Sequence, residues 1–192
     1  MGLSYIRIMS NYPEFTEEEI FNLTPIFANS VINITQQGNF HQILTYDYID
    51  ETSKYKKKIF NDYEFYEQEI ENITRNMQKI LDNCVNSVNG HQIYPLVYQA
   101  DIEFKNENLL FFYWIIKFKG DLKSGLNVYE SNIEEEELEY NVQSIYILEN
   151  PLKPISVSTV LHFDIIPEVN MIKYFGNKGE IVGPKEIIRF QS

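Results

Sequence analysis

The chain has 192 residues and a mass of 22.8 kDa, and its hydrophobic share of 44% and charged share of 23% exclude a disordered chain and a fibrous repeat. Its formal net charge is −12, and eleven acidic residues against four basic ones give the stretch 101–150 a net charge of −7. Because binding to nucleic acid depends on lysine and arginine side chains that neutralise phosphates, we expect no nucleic-acid partner.

The first predicted elements are a strand, a short helix and a hairpin. Residues 3–10 alternate with period two, which favours a strand. Thr16 and Glu19 form a capping box, which predicts a short helix over about 16–23. The stretches 26–36 and 40–50 read as strands on either side of Gly38, which is typical of a β-hairpin.

The clearest periodicity predicts one long helix over about 62–88. Apolar residues recur there at intervals of three and four, and Gly90 follows as a C-terminal stop. The residues of this stripe are Tyr66, Ile70, Ile73, Met77, Ile80, Cys84 and Val88. Since Cys84 lies on the stripe, we interpret it as a core residue rather than a nucleophile.

After the helix the pattern changes to strands. Turn residues separate six predicted strands, at 93–104, 109–119, 126–131, 140–149, 155–166 and 186–190. With no helix between them, these strands should pair antiparallel. We therefore predict a single α+β domain over 1–192, in which an antiparallel sheet of about six to eight strands packs against the 62–88 helix.

The predicted strand 109–119 is apolar on both faces. Trp114 lies on one face and Tyr113 on the other. The long helix can cover one face of such a strand, so the second face needs strands of the same chain, a partner or a second copy. Trp114 is therefore included among the candidate partner contacts.

A run of glutamates is the main candidate for a binding surface. It could be a solvated loop or helix start, or a contact for a basic partner. The metal-binding spacing of an EF-hand loop is absent. The candidate partner-binding residues are Glu130, Glu134, Glu135, Glu136, Glu137, Glu139 and Trp114.

A second candidate is a polar site at His162 and Asp164. The two residues are neighbours on one face of the predicted strand 155–166, which also carries Ser158. Ser158 and His162 would be about 13 Å apart along that strand, which excludes a catalytic pair between them. The alternative is the plain polar face of a strand.

Neither a metal nor a cofactor is expected from the motifs. The three histidines lack metal-ligand spacing, and the single cysteine excludes a multi-cysteine zinc site and an internal disulfide. Gly120 and Gly125 have the spacing of a phosphate loop, but the Lys-Ser/Thr that should follow is absent. Turns account for these glycines.

The start of the chain and its apolar runs bear on location. No positively charged leader with an apolar core opens the sequence, and its longest apolar run, 109–116, is too short for a membrane helix. We therefore expect a cytoplasmic protein without a membrane partner.

Three functions remain open from the sequence. The first is a non-enzymatic, acidic protein-binding module, of the kind that inhibitors and immunity or antitoxin proteins use to neutralise a basic effector. The second is a structural subunit of a homo-oligomer or of a viral or cellular assembly. The third is a small enzyme with a site around His162 and Asp164. No motif is specific enough to indicate a family.

Overall fold

A computed structural model describes residues 21–192 of the chain. The predicted strand 3–10 and most of the predicted helix 16–23 lie outside these residues, and Leu23 is already the first residue of a strand. The described elements are β1 (Leu23–Ile34), β2 (Asn39–Asp50), α1 (Lys54–Asn61), α2 (Tyr63–Asn83), β3 (Val85–Val88), β4 (His91–Ile93), β5 (Leu96–Phe104), β6 (Leu109–Lys119), β7 (Leu126–Asn132), β8 (Glu136–Glu137), β9 (Asn141–Leu148), β10 (Lys153–Ser158), β11 (His162–Ile166), a short 3₁₀ helix (Pro167–Val169), β12 (Met171–Gly176), β13 (Ile181–Val182) and β14 (Lys185–Gln191).

Strands dominate this mixed α+β fold, which confirms the predicted class and the antiparallel character of the sheets. Instead of one sheet, however, the described strands form three. A seven-stranded sheet has the order β11-β12-β9-β1-β2-β6-β5, a five-stranded sheet has the order β10-β14-β7-β3-β4, and β13 pairs with β8. The architecture therefore differs from the prediction, in which a single sheet packs against one long helix.

The hairpin of β1 and β2 is confirmed, and it depends on glycine. Gly38 has a φ of +78°, and the N–H of Gly120 donates to its carbonyl oxygen at 2.9 Å. A Cβ on Gly38 would collide with the carbonyl oxygen of Gly120. Only glycine combines this left-handed backbone with so close a contact.

The long helix is shorter than predicted. Asp62 caps α2, because its Oδ1 accepts the N–H of Phe65 at 3.0 Å, but the helix ends at Asn83 rather than near Val88. The chain continues into β3, which pairs with β7, and Gly90 lies in the β3–β4 turn with a φ of +80°. Val85 and Val88 are β-branched residues, which favour a strand, and pairing with β7 stabilises that strand.

The predicted strand 155–166 is two strands in different sheets. β10 pairs with β14 in the five-stranded sheet, whereas β11 pairs with β12 in the seven-stranded sheet. Residues 159–161 connect them, so the shared face expected for Ser158, His162 and Asp164 does not exist. Thr159 supplies a local turn there, since its Oγ1 accepts the N–H of Leu161.

One strand pair is parallel. β1 pairs with β9 in parallel, although all other described pairs of the seven-stranded sheet are antiparallel. The long stretch between these strands, including both helices, provides the crossover that a parallel pair requires.

The inner face of the seven-stranded sheet carries the core. Towards β5 it contacts the helices, since the Trp114 indole N–H donates to the Ile73 carbonyl oxygen at 3.1 Å. Towards β9 it contacts the five-stranded sheet, where the rings of Tyr146 and Tyr129 lie 6.3 Å apart. The helices and the second sheet therefore share one face of the first sheet.

Candidate partner-binding site

Residues 134–139, here called the acidic segment, follow β7 and hold five of the candidate glutamates. Glu134, Glu135, Glu137 and Glu139 are exposed, and Glu136 is half-buried. The segment is neither a helix start nor a free loop, because Glu136–Glu137 form β8 and pair with β13. Its carboxylates are thus presented by ordered backbone.

Buried neighbours and backbone hydrogen bonds hold the acidic segment in place. Leu138 donates its N–H to the Glu180 carbonyl oxygen and accepts the N–H of Gly179, each at 2.8 Å. The side chains of Leu138 and Tyr140 are buried. A Cβ on Gly183 would come within 2.8 Å of the Glu134 carbonyl oxygen, so the glycine allows the close approach of these two backbones.

A groove of about 640 Å³ lies between the acidic segment and the end of α2. Glu134 and Glu136 line one side of it, and Ile80 and Cys84 line the other. Asn83, Asn132 and Ile133 complete the lining. The groove thus combines carboxylates with apolar walls.

The electrostatics of this groove favour a cation. The C-terminal end of a helix carries a partial negative charge, and the last turn of α2 contains no basic residue and one acidic residue, Asp82. Burial raises the pKa of Tyr140 far above its usual value, and the negative charges of Glu139 and Glu136 raise it further. The local field is therefore negative.

A second groove of about 560 Å³ lies on another side of the acidic segment. It is lined by Glu137 and Glu139 together with Thr24, Pro25 and Leu138. Lys178 also lines it, so the charge of this groove is partly balanced. The groove beside α2, whose lining has no lysine or arginine, is the more negative of the two.

Glu130 and Trp114, the two candidate partner contacts outside the acidic segment, are less available to a partner than the segment is. Glu130 forms an ion pair with Lys185 at 2.9 Å, so its charge is countered within the chain. Trp114 is fully buried in the core, and its interpretation as a partner contact is wrong because a partner cannot reach it. Among residues 21–192, α2 contacts the inner face of its strand, β6.

His162 and Asp164 lie on β11, at an edge of the seven-stranded sheet. The His162 ring stacks on Phe175 at 5.1 Å, and its Nε2 lies 3.3 Å from Glu180 Oε1. Hydrogen bonds from Asn177, and next the contact with His162, lower the pKa of Glu180. Asp164 is exposed and faces Lys173 across the strand pair. The histidine partner is therefore Glu180 rather than Asp164.

A buried polar cluster was not predicted. Glu186 of β14 is 6% exposed, and its Oε1 accepts the Tyr146 hydroxyl at 2.7 Å. The ring of Tyr174 lies 5.5 Å from that of Tyr146, and among residues 21–192 its hydroxyl has no hydrogen-bond partner. The sequence does contain a signal, since Glu186 alternates with Ile188 and Phe190 on the inward face of β14.

The described part of the chain offers neither a metal site nor a membrane span. Across residues 21–192, no three histidine, cysteine, aspartate or glutamate side chains are grouped so that they could hold a metal ion. In the same range, neither helix is long and apolar enough to cross a membrane.

Comparisons with known proteins leave the family open. No protein-family model matches the chain, and no curated protein matches it. Among solved structures, a Parabacteroides distasonis protein assigned as a protease is 6% identical with a TM-score of 0.34, over 88% of this chain and 40% of that one. An aminopeptidase N family protein from Idiomarina loihiensis is 11% identical with a TM-score of 0.35, over 84% of this chain and 29% of that one. The Capitella teleta AChBP in complex with lobeline is 8% identical with a TM-score of 0.30, over 98% of this chain and 92% of that one. The chain spans less than half of the first two proteins, and likenesses this low carry no functional argument.

Proposed function

We propose that this chain is a non-enzymatic protein-binding module whose acidic segment engages the basic surface of another protein. The observation that carries the proposal is the groove beside α2, where Glu134 and Glu136 face a helix C-terminus and no lysine or arginine lines the site. Neutralising a basic effector, as inhibitors and immunity or antitoxin proteins do, is the role that this charge fits.

The groove suits a lysine or arginine side chain of the partner. Such a side chain has an apolar stem and a charged end. Ile80 and Ile133 offer apolar contacts for the stem, and the carboxylates of Glu134 and Glu136 offer acceptors for the cation. Apolar walls and charge therefore favour the same ligand.

The exposed glutamates of the segment serve a different purpose from the groove. Charges at the rim of an interface change the rate of association and its salt dependence more than the final affinity. Glu135, Glu137 and Glu139 are exposed, so they should steer a basic protein towards the groove.

The test replaces the four consecutive glutamates, Glu134→Gln to Glu137→Gln, and measures association with a labelled deca-lysine peptide by stopped-flow fluorescence. We expect the association rate to fall on the order of tenfold at low salt and its salt dependence to flatten. Light scattering after size exclusion verifies that the variant remains folded.

The matched control removes four exposed charges elsewhere, by glutamine at Glu51, Glu64, Glu67 and Glu168. This variant has the same net charge as the first, so we expect it to keep most of the association rate. An equal loss in both variants would show that net charge alone attracts the peptide. Either that result or an unchanged rate in the first variant would reject the acidic segment as a binding site.

A further inference from the structure

The strand β5 forms one edge of the seven-stranded sheet. Among the strands of residues 21–192, it pairs with β6 alone. A strand edge presents N–H and carbonyl groups to which another strand can pair, and exposed apolar side chains favour that pairing. Tyr94 is 72% exposed, Leu96 is 61% exposed and Tyr98 is 68% exposed at the start of this strand. The edge therefore has the features of a site at which a further strand could be added.

The side chain of Gln78, on α2, occupies the start of this edge. Its Oε1 accepts the N–H of Val97 at 2.9 Å, and its Nε2 donates to the carbonyl oxygen of Pro95 at 3.1 Å. These two backbone groups flank Leu96, and a residue of a parallel neighbouring strand would bond to the same two groups. The Gln78 amide thus takes the place of a residue in an added strand.

Asp101 satisfies a second N–H group further along β5. Its Oδ1 accepts the N–H of Ile102 at 2.8 Å and the hydroxyl of Tyr66 at 2.7 Å. Asp101 shares a face of the sheet with Tyr113, whereas α2 contacts the opposite face through Trp114. The Tyr66 side chain, which comes from α2, therefore extends past the edge of β5 to reach the carboxylate.

The backbone between these two points is irregular. The register with β6 shifts between Val97 and Gln99, so Tyr98 is not paired with a residue of β6. Such a bulge increases the local twist of an edge strand and disfavours pairing on its outer side. The Nζ of Lys117 lies 3.2 Å from the centre of the Tyr98 ring, and lysine at a sheet edge has the same effect. Several features of one edge thus act in the same direction.

We propose that the edge of β5 is a strand-pairing site that α2 keeps closed, and that the Gln78 amide is the group that closes its start. Without this amide, β5 pairs with β5 of a second copy of the chain. The second copy brings the same exposed Leu96 and Tyr98, so apolar contacts accompany the new backbone hydrogen bonds. The proposal is independent of the acidic segment.

The first test is the variant Gln78→Ala in the full chain, studied by sedimentation velocity over a concentration series. We expect its average mass to rise with concentration above that of the wild type. The matched control is Gln68→Ala, the same substitution in the same helix, at a side chain whose amide lies 3.4 Å from Glu64 rather than on β5. This control should sediment as the wild type does.

The second test locates the contact by hydrogen exchange of the Val97 amide, followed by NMR. In dilute Gln78→Ala this N–H has lost its acceptor, so it should exchange about tenfold faster than in the wild type. Protection should return as the concentration rises, because an added strand supplies a new acceptor. The Gln68→Ala control should keep the wild-type exchange rate at every concentration.

The third test blocks the edge by a different route. Leu96→Lys places a charge on the edge, which opposes strand pairing. In the Gln78→Ala background it should return the mass to that of the wild type, while the exchange of the Val97 amide stays fast. Leu96→Lys alone should have the mass and the Val97 exchange of the wild type.

Three results would overturn the proposal. If Gln78→Ala kept the wild-type mass throughout the series, the Gln78 amide would not be needed to prevent pairing. If it associated without renewed protection of the Val97 amide, the contact would lie elsewhere. If Leu96→Lys left the association of Gln78→Ala unchanged, the edge of β5 would not be the site.

Discussion

The hydroxyl groups of Tyr146 and Tyr174 lie in the same buried cluster but differ in their hydrogen bonds. Tyr146 donates to Glu186, whereas the Tyr174 hydroxyl has no partner among the described residues. Removing a donor from a buried carboxyl group leaves an acceptor unsatisfied, but removing an unpaired hydroxyl does not. The same substitution should therefore have two different effects here.

We predict that Tyr146→Phe lowers the free energy of unfolding by about 1–3 kcal/mol. Tyr174→Phe, its matched control, should change that free energy by less than about 0.5 kcal/mol or raise it. Urea unfolding followed by circular dichroism measures both. Equal losses in the two variants would show that the hydrogen bond from Tyr146 to Glu186 does not contribute to the free energy of unfolding.

At the residue scale, the sequence predicts burial better than it predicts polar contacts. The period of β6 places Trp114 on an apolar face, and that face is buried. Its use as a partner contact was wrong because periodicity cannot say which face the rest of the chain covers. The partners of Glu186 lie on other strands, so no local pattern reveals them.

At the element scale, the start of α2 depends on one carboxylate. Asp62 accepts the N–H of Phe65 at 3.0 Å and pairs with Lys58 at 3.1 Å. The first of these contacts, and then the second, lower the pKa of Asp62 from its ordinary value of 3.8. The ionised form is thus the one that stabilises the folded chain.

We predict that Asp62→Ala destabilises the protein at neutral pH. A lowered folded-state pKa contributes stability that is present above 3.8 and is lost as the pH falls through the folded-state value. The difference between wild type and variant, measured by thermal unfolding, should therefore shrink in acid.

Asp62→Asn provides the control, because it keeps an oxygen that can cap Phe65 and loses the charge that pairs with Lys58. Its effect at neutral pH should be smaller than that of Asp62→Ala. A deficit in Asp62→Ala that is constant down to acid pH would contradict a role for the ionised carboxylate.

The residues at which helices and strands end cannot all be predicted from local sequence patterns. The capping residue fixes where α2 begins, and Asp62 is recognisable in the sequence. The helical spacing continues to Val88, but pairing of β3 with β7 is a contact between distant residues and outweighs it. The break between β10 and β11 has the same cause, since their partners belong to different sheets.

At the scale of the whole molecule, tyrosines make the fold sensitive to alkali. Burial is the main cause of the raised pKa values of Tyr129, Tyr146 and Tyr174. A hydrogen bond to Asp101 at 2.7 Å is the main cause for Tyr66, whose pKa is raised to about 12. All of these environments favour the neutral phenol over the phenolate.

We predict that the free energy of unfolding is unaffected by these groups below pH 10 and falls as the pH rises above it, because the unfolded chain then ionises first. Tyrosinate absorbance and circular dichroism, recorded in one alkaline titration, should show most of the ionisation together with the loss of structure. Complete ionisation near pH 10 with the circular dichroism intact would refute this.

The acidic run could be predicted because five glutamates within 134–139 are evident without a structure. Its surroundings could not, because Ile80 and Cys84 are about fifty residues earlier in the chain. The apolar outer side of β6 could be predicted, since the strand is apolar on both sides. Which side the helices and the second sheet of the described chain would cover could not, because the pairing of the second sheet is non-local.

The parallel pairing of β1 with β9 has a consequence for biosynthesis. Asn141–Leu148 are made long after Phe27–Ile34, and at about 5–20 residues per second roughly 5–25 s separate them. During that interval β2 can pair with one edge of β1. The other edge has no partner from β9 until Asn141–Leu148 have been synthesised. β1 is therefore made early but gains its second neighbour late, and three of the seven strands, β9, β12 and β11, can join the sheet only after they have been synthesised.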